Sequence, residues 1–414
     1  MAGTSPAMTD QDKPLLRRGA FVGFLYVRIA ASVALQMQAV AVGWQMYALT
    51  GSSFDLGLVG LVQFVPAVGF FLATGQAADR YDRRTVTAIS QSVEALAVAT
   101  LAVATADGRL TPVLLLAMAF VVGAGRAFEQ PSLQSVLPNI VPGAALPRAI
   151  AAANSAAQTA VVAGPALGGV LIEVSPTLVF AISAALWLSS AVVMRGIAME
   201  RVARRRQPAD LKSLFSGFAF IARHKVVLGA ITLDLFAVLL GSATALLPIF
   251  ASDIFAAGPV GFGALRAAPA AGAIVSALIL TRHPIARRVG YAMFVAVTAY
   301  GVGTICLALA PSFVLATAAL LVVGAADTIS MVIRQTLVQM HTPDEMRGRV
   351  FAVNSMFTST SNQLGTFRAG TVSAAFGAVP AVLLGGLSTV AVVLISAGLF
   401  RELLHADGYD PKGP

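Results

Sequence analysis

The chain has 414 residues, of which 57% belong to the apolar set AVILMFWYC and only 11% are charged, with 37 glycines. Soluble domains carry about 25% charged residues because their surface must be solvated, so this composition excludes a string of soluble domains and implies a polytopic membrane protein. The net charge of +9 does not point to nucleic acid, because the basic residues fall between apolar runs, where they face anionic lipid.

In chain order, apolar runs lie near 20–49, 56–77, 85–105, 111–128, 149–173 and 178–196, then near 226–252, 261–280, 289–310, 313–336, 350–376 and 380–400. Each approaches the roughly 20 residues that cross a bilayer as a helix. None alternates with period two, so barrel strands are not expected. The expected organisation is a tail (1–19), a six-helix bundle (20–196), a central loop (197–225), a second six-helix bundle (226–400) and a second tail (401–414). Met1–Lys13 is polar and the first apolar run is too long for a signal-peptide core, so no cleavable leader is expected. Cys306, the single cysteine, lies in an apolar run and leaves no intrachain disulfide.

Lysine and arginine alternate along the chain. Lys13, Arg17 and Arg18 precede the first run, Arg83 and Arg84 follow the second, and Arg148 precedes the fifth. The central loop is strongly basic, and Arg282, Arg287, Arg288, Arg347 and Arg349 mark later junctions on the same side. Junctions 51–55, 174–177, 254–260, 311–312 and 377–379 hold no basic residue, and 106–110 holds only Arg109. The positive-inside rule then puts both termini in the cytoplasm, in the cell (inner) membrane. Within the central loop, Leu211, Leu214, Phe215, Phe218 and Ile221 recur at helical spacing beside Lys212, Arg223 and Lys225. That pattern suits a helix lying in the interface, with a plain linker as the alternative.

The halves match at an offset of 201 residues: Gly123 with Gly324, Gln134 with Gln335, Asn154-Ser155 with Asn354-Ser355 one residue short of it, Gly164 with Gly365 and Gly169 with Gly370. Gly60, Pro66 and Gly69 match Gly263, Pro269 and Gly272 at 203. Parallel six-plus-six repeats are the build of rocker-type secondary transporters.

Two motifs carry a family resemblance. The loop after the second run reads Gly75-Gln-Ala-Ala-Asp79-Arg80-Tyr-Asp82-Arg83-Arg84, which resembles the loop signature of the major facilitator superfamily, with Asp82 where a second glycine is usual. The fifth run holds Gly164-Pro165-Ala-Leu-Gly168-Gly169. It resembles the antiporter motif of superfamily exporters, although small-residue packing alone explains a Gly/Pro-rich bend. Ala78-Asp79-Arg80-Tyr81, the LKSLFSGFAF stretch at 211–220, and Thr342-Pro343-Asp344-Glu345-Met346-Arg347-Gly348-Arg349 are similar to the branch holding the enterobactin exporter and macrolide and multidrug exporters. The resemblance implies a major facilitator fold and export of a siderophore or drug-like molecule. It also implies a cytoplasmic gate contact between Asp79 and Arg349.

A charge at the bilayer centre costs about 2.5–3.5 kcal/mol even on lenient scales. Arg28 and Asp234 lie at similar depth in the first and seventh runs, and Arg126 and Asp327 are equivalent at offset 201. Two pairs across a central cleft, Arg28–Asp234 and Arg126–Asp327, are therefore expected, with a carboxylate as proton carrier or, alternatively, a static bridge. Arg266 is the equivalent of Gln63, which suggests a polar role at the cavity edge, and Glu94 belongs to a polar stripe. Gln36, Trp44, Asn354, Phe357 and Asn362 are further candidates for contact with a bulky amphipathic ligand. The four histidines lack metal-ligand spacing, and no phosphate-binding or nucleophile motif occurs, so neither an enzyme nor a metal or cofactor site is expected. The reading is a monomeric proton-coupled exporter of a small molecule; an importer, a uniporter or a non-transporting receptor is the alternative.

Overall fold

A computed structural model describes residues 19–70, 73–74, 81–199 and 211–409, with side chains from 216 onward in the helix that begins at Leu211. Twelve long helices follow in order: α1 (Gly19–Thr50), α2 (Ser53–Gly69), α3 (Arg83–Ala106), α4 (Pro112–Ile140), α5 (Leu146–Val174), α6 (Pro176–Gly196), α7 (Lys225–Gly241), α8 (Gly258–Arg282), α9 (Val289–Ala308), α10 (Phe313–Met340), α11 (Asp344–Phe376) and α12 (Ala378–Leu399). A linker helix, Leu211–Arg223, stands between α6 and α7. Ten of the twelve are long and apolar enough to span a bilayer, α7 being counted through Ile254; the other two are α2 and α11. Polar side chains on α11, among them Asn354 and Arg368, lower its hydropathy.

Helix starts at the end without basic junctions, here the neutral end, follow capping chemistry. Ser52, Thr111 and Ser312 each accept a backbone N–H of the first turn of α2, α4 and α10. Asp82 caps α3 by accepting from the Arg84 amide, which gives the residue standing in the usual glycine position a structural task. Gly51 (φ 60°) and Gly377 (φ 90°) make the tight turns after α1 and α11.

Packing repeats between the halves. α3 packs on α4 and α6, α1 on α5 and α6, and α2 on α4; α9 packs on α10 and α12, α7 on α11 and α12, and α8 on α10. Gly123 lies against the Gln63 backbone of α2, and its equivalent Gly324 lies against the Pro269 backbone of α8. Gly164 lies on α1, and its equivalent Gly365 on α7. The sequence offset is thus a structural repeat.

The bundles meet through α2–α11 and α5–α8. A Cβ at Gly370 would stand 2.6 Å from the Gly57 Cα, and one at Gly169 would stand 2.6 Å from the Pro259 carbonyl oxygen and 2.9 Å from the Gly263 Cα. Trp44 stacks on Phe262 at 6.1 Å, Phe54 meets Phe367 at 5.9 Å, and the Tyr47 hydroxyl donates to Asp253. All these contacts lie toward the neutral end. One core there joins both halves, including Met37, Met46 and Trp187 with Phe250, Phe262 and Leu320. Among the described residues the cores toward the basic end are separate: Phe21, Phe24 and Met194 in one half, Leu233, Met293 and Leu337 in the other.

Replacing Gly57 by leucine drives a side chain into the α11 backbone and should part the bundles at the neutral end. In a Cys306→Ser background carrying Gln36→Cys, Gly57→Leu is expected to raise labelling by an impermeant maleimide applied from that side about tenfold, for a shift of about 1.4 kcal/mol between states. Unchanged labelling would show that the seal does not depend on this contact.

Candidate functional site

Intramembrane charges other than Arg266 and Arg368 collect in two clusters, one per half. In the first, Glu94 of α3 is fully buried against Gly125 of α4. Gln91 Nε2 donates to Glu129 Oε1 at 2.9 Å, and Ser190 Oγ of α6 donates to Gln91 Oε1 at 2.9 Å. Arg126 acts electrostatically on both glutamates, and Arg28 of α1 acts on Glu129. In the second, Arg334 Nε of α10 lies 3.2 Å from Asp234 Oδ2 of α7, both side chains being under one tenth exposed. Arg334 Nη1 also donates to Asn354 Oδ1 (2.7 Å) and Thr358 Oγ1 (3.2 Å) of α11. Asp327 stands two turns before Arg334 on α10 and within electrostatic reach of Asp234 and Arg334.

Asp327 lines a cavity of about 150 Å³ inside the second half, with Ser242, Thr244, Tyr300, Thr304 and Asn362. That is room for several waters beside polar partners. The helical ladder of α7 ends at Gly241, and Ser242 and Ala243 break it before the chain turns helical again at Thr244. Such a break is tolerated at membrane depth where it borders a polar cavity.

The two expected cross-cleft pairs do not form. Asp234 pairs with Arg334 rather than Arg28, and Arg126 stands among Glu94 and Glu129 rather than opposite Asp327. The physical reason is that the halves touch toward the neutral end, whereas partners within each bundle are one helix away. Arg334 and Glu129 escaped the sequence reading because one lies near the end of its apolar run and the other just beyond its run. Their spacing was a usable signal: Glu129 follows Arg126 by three residues and Arg334 follows Asp327 by seven, both on one helix face.

Of the ligand-contact candidates, Asn354 belongs to the Arg334 cluster and Phe357 packs on Phe218 of the linker helix at 5.6 Å. Asn362 faces the cavity, Trp44 sits in the neutral-end seal, Gln36 lies against Gly164, and Gln63 against Gly123. In the fifth-helix motif, Gly164 and Gly168 admit α1, while Gly169 and the Pro165 carbonyl admit α8; α5 stays helical through Pro165. Of the loop motif, Gly75, Asp79 and Arg80 lie outside the described residues. Arg83 donates to the Ser135 carbonyl, Arg84 pairs with Asp82 at 2.9 Å and donates to the Ile197 carbonyl, and Arg349 donates to Ser216 of the linker helix.

Residues 13–409 match the family model described as transmembrane secretion effector, of major facilitator type. The chain belongs to this major facilitator family. It is similar to the multidrug efflux pump Tap of Mycobacterium tuberculosis (26% identity, 96% of this chain and 98% of the relative). It is also similar to the MFS-type transporter YfiS of Bacillus subtilis (25%, 84% and 85%) and to macrolide efflux protein A of Streptococcus pyogenes (24%, 61% and 63%). Among solved structures, a point mutant of the nucleoside transporter NupG superposes with a TM-score of 0.75 at 14% identity, covering 92% of this chain and all of that one. A bacterial homologue of the lysosomal transporter Spinster gives 0.72 at 15%, covering 95% and 98%. This major facilitator is therefore a multi-pass membrane transporter, not an enzyme.

Breaking a buried ion pair on one side leaves an uncompensated charge and costs about 3–5 kcal/mol, whereas neutralising both partners costs far less. Arg334→Ala should therefore lower thermal stability sharply, and Asp234→Asn with Arg334→Gln should recover most of the loss. Equal melting temperatures for the single and double variants would contradict the pairing.

Proposed function

We propose that this transporter is a proton-coupled exporter of small amphipathic molecules, working by alternating access in the inner membrane as a monomer with both termini in the cytoplasm. The observation that carries this reading is the unequal division of the core: shared at the neutral end, separate at the basic end. With the basic junctions cytoplasmic, that arrangement is an inward-open state, ready to load from the cytoplasm. Residues 20–196 and 226–400 act as the two moving bodies. The loop motif Gly75–Arg84, with Arg349, acts as the latch that engages when the basic end closes.

Coupling is assigned to Asp327 and Asp234. Protonating either carboxyl removes a charge that Arg334 balances, which changes the relative stability of the two states. Arg28 and Arg126, within electrostatic reach of Glu129 and Glu94, serve the first half in the same way. The efflux names of Tap and the macrolide protein support the outward direction and a bulky, partly apolar cargo, drug-like or siderophore-like.

Inside-out vesicles with an acidic lumen should accumulate ethidium, lose it when nigericin collapses the pH gradient, and fall to background with Asp327→Asn. Uptake indifferent to the gradient would remove the antiport claim, and uptake that requires right-side-out vesicles would reverse the direction.

A further inference from the structure

The buried arginines are not equally provided for. Arg28 and Arg126 have glutamates within electrostatic reach, and Arg334 has Asp234. Arg368 turns into the second bundle, its Nη2 near Gly385 of α12 and its charge acting on the Tyr300 phenol. Arg266 of α8 is half-buried, and its Nε, like those of Arg28 and Arg368, is sealed from solvent with no hydrogen-bond partner. Among the described residues it makes no ion pair.

Its location gives that isolation a meaning. Arg266 is one turn toward the basic end from Gly263, the residue pressed against Gly169 and the Pro165 carbonyl of α5. It is also one turn from Phe262, which stacks on Trp44 of α1. Spacing of three and four residues puts Arg266 on the same face of α8 as Gly263 and Phe262, one turn from the contacts that join the halves. The equivalent position of the first half holds Gln63, so the positive charge is carried by one wall only.

An arginine cannot shed its proton to escape burial, as a lysine can. Left in a low-dielectric site with no counter-charge, it is destabilising, so such residues mark ligand paths. Its planar fork matches an oxyanion through two parallel hydrogen bonds, and Trp44 and Phe262 offer an apolar face next to it. We propose that Arg266 anchors an oxyanion of the transported molecule, so that the preferred cargo is an amphipathic organic anion with an aromatic or apolar body. This inference deepens the export reading and rests on it for the word cargo, but binding itself is tested separately.

The full-length protein in lipid nanodiscs is titrated with fluorescein, an aromatic carboxylate, and with ethidium, a cation of similar size, by fluorescence polarisation against empty nanodiscs. Wild type should bind fluorescein more tightly than ethidium. Arg266→Gln should weaken fluorescein about tenfold or more, the effect of a charge-assisted hydrogen bond, while ethidium affinity stays level or improves. Arg266→Lys, a point charge without the fork, should fall between them. Unchanged fluorescein affinity in Arg266→Gln would overturn the proposal. Should that variant not fold, ethidium binding at least as tightly as fluorescein in the wild type would do the same. Arg266-dependent binding with no gradient-driven flux would instead sink the coupling reading and leave this one standing.

Discussion

Backbone-to-backbone contact at Gly57–Gly370 and Gly169–Gly263 is the constraint from which the rest follows. Helices in hydrocarbon gain nothing from hiding apolar surface from water, so their association depends on close approach and van der Waals fit. Two glycine contacts, on opposite sides of the central cleft, let α2 meet α11 and α5 meet α8 without intervening side chains. Because both lie toward the same end, the halves are joined there and apart at the other. The position of the shared core is a consequence of that placement.

Rigid-body motion of two halves requires that each be internally complete. The charge clusters meet that requirement: Arg28 and Arg126 answer Glu94 and Glu129 in one half, and Arg334 answers Asp234 in the other. In the proposed alternating-access cycle, swinging the halves apart would break none of these pairings. Salt bridges across the cleft would instead have to be desolvated and re-formed in every cycle. Asp327, beside a broken α7 and a cavity whose wall mixes polar groups with Val238, Leu307, Leu320 and Val323, is the carboxyl in the second cluster with water-sized space next to it.

Much of the architecture is readable from the residues alone. Hydropathy placed the helices because a span must be apolar for about 20 residues, and the offset of 201 found Gly123 and Gly324, which occupy equivalent helix contacts. The site was harder. Matched depth in two helices made Arg28–Asp234 attractive, but depth is one coordinate of three, and neither the helix rotation nor the distance across the cleft is written in spacing. Hydropathy also hid two of the actual partners: α4 and α10 run on past the apolar runs, to Ile140 and Met340, and Glu129 and Arg334 sit at or near those edges. The structure also gives Asn354 and Phe357 partners that spacing did not indicate, in a charge cluster and on the linker helix.

The self-sufficiency of each charge cluster bears on ancestry. Because neither charge cluster borrows a countercharge from the other half, a half could be duplicated, fused or recombined without unpairing them. Duplication of a six-helix precursor would meet no electrostatic obstacle at these clusters, and Gln63 and Arg266 mark an equivalent position at which the two halves carry different chemistry.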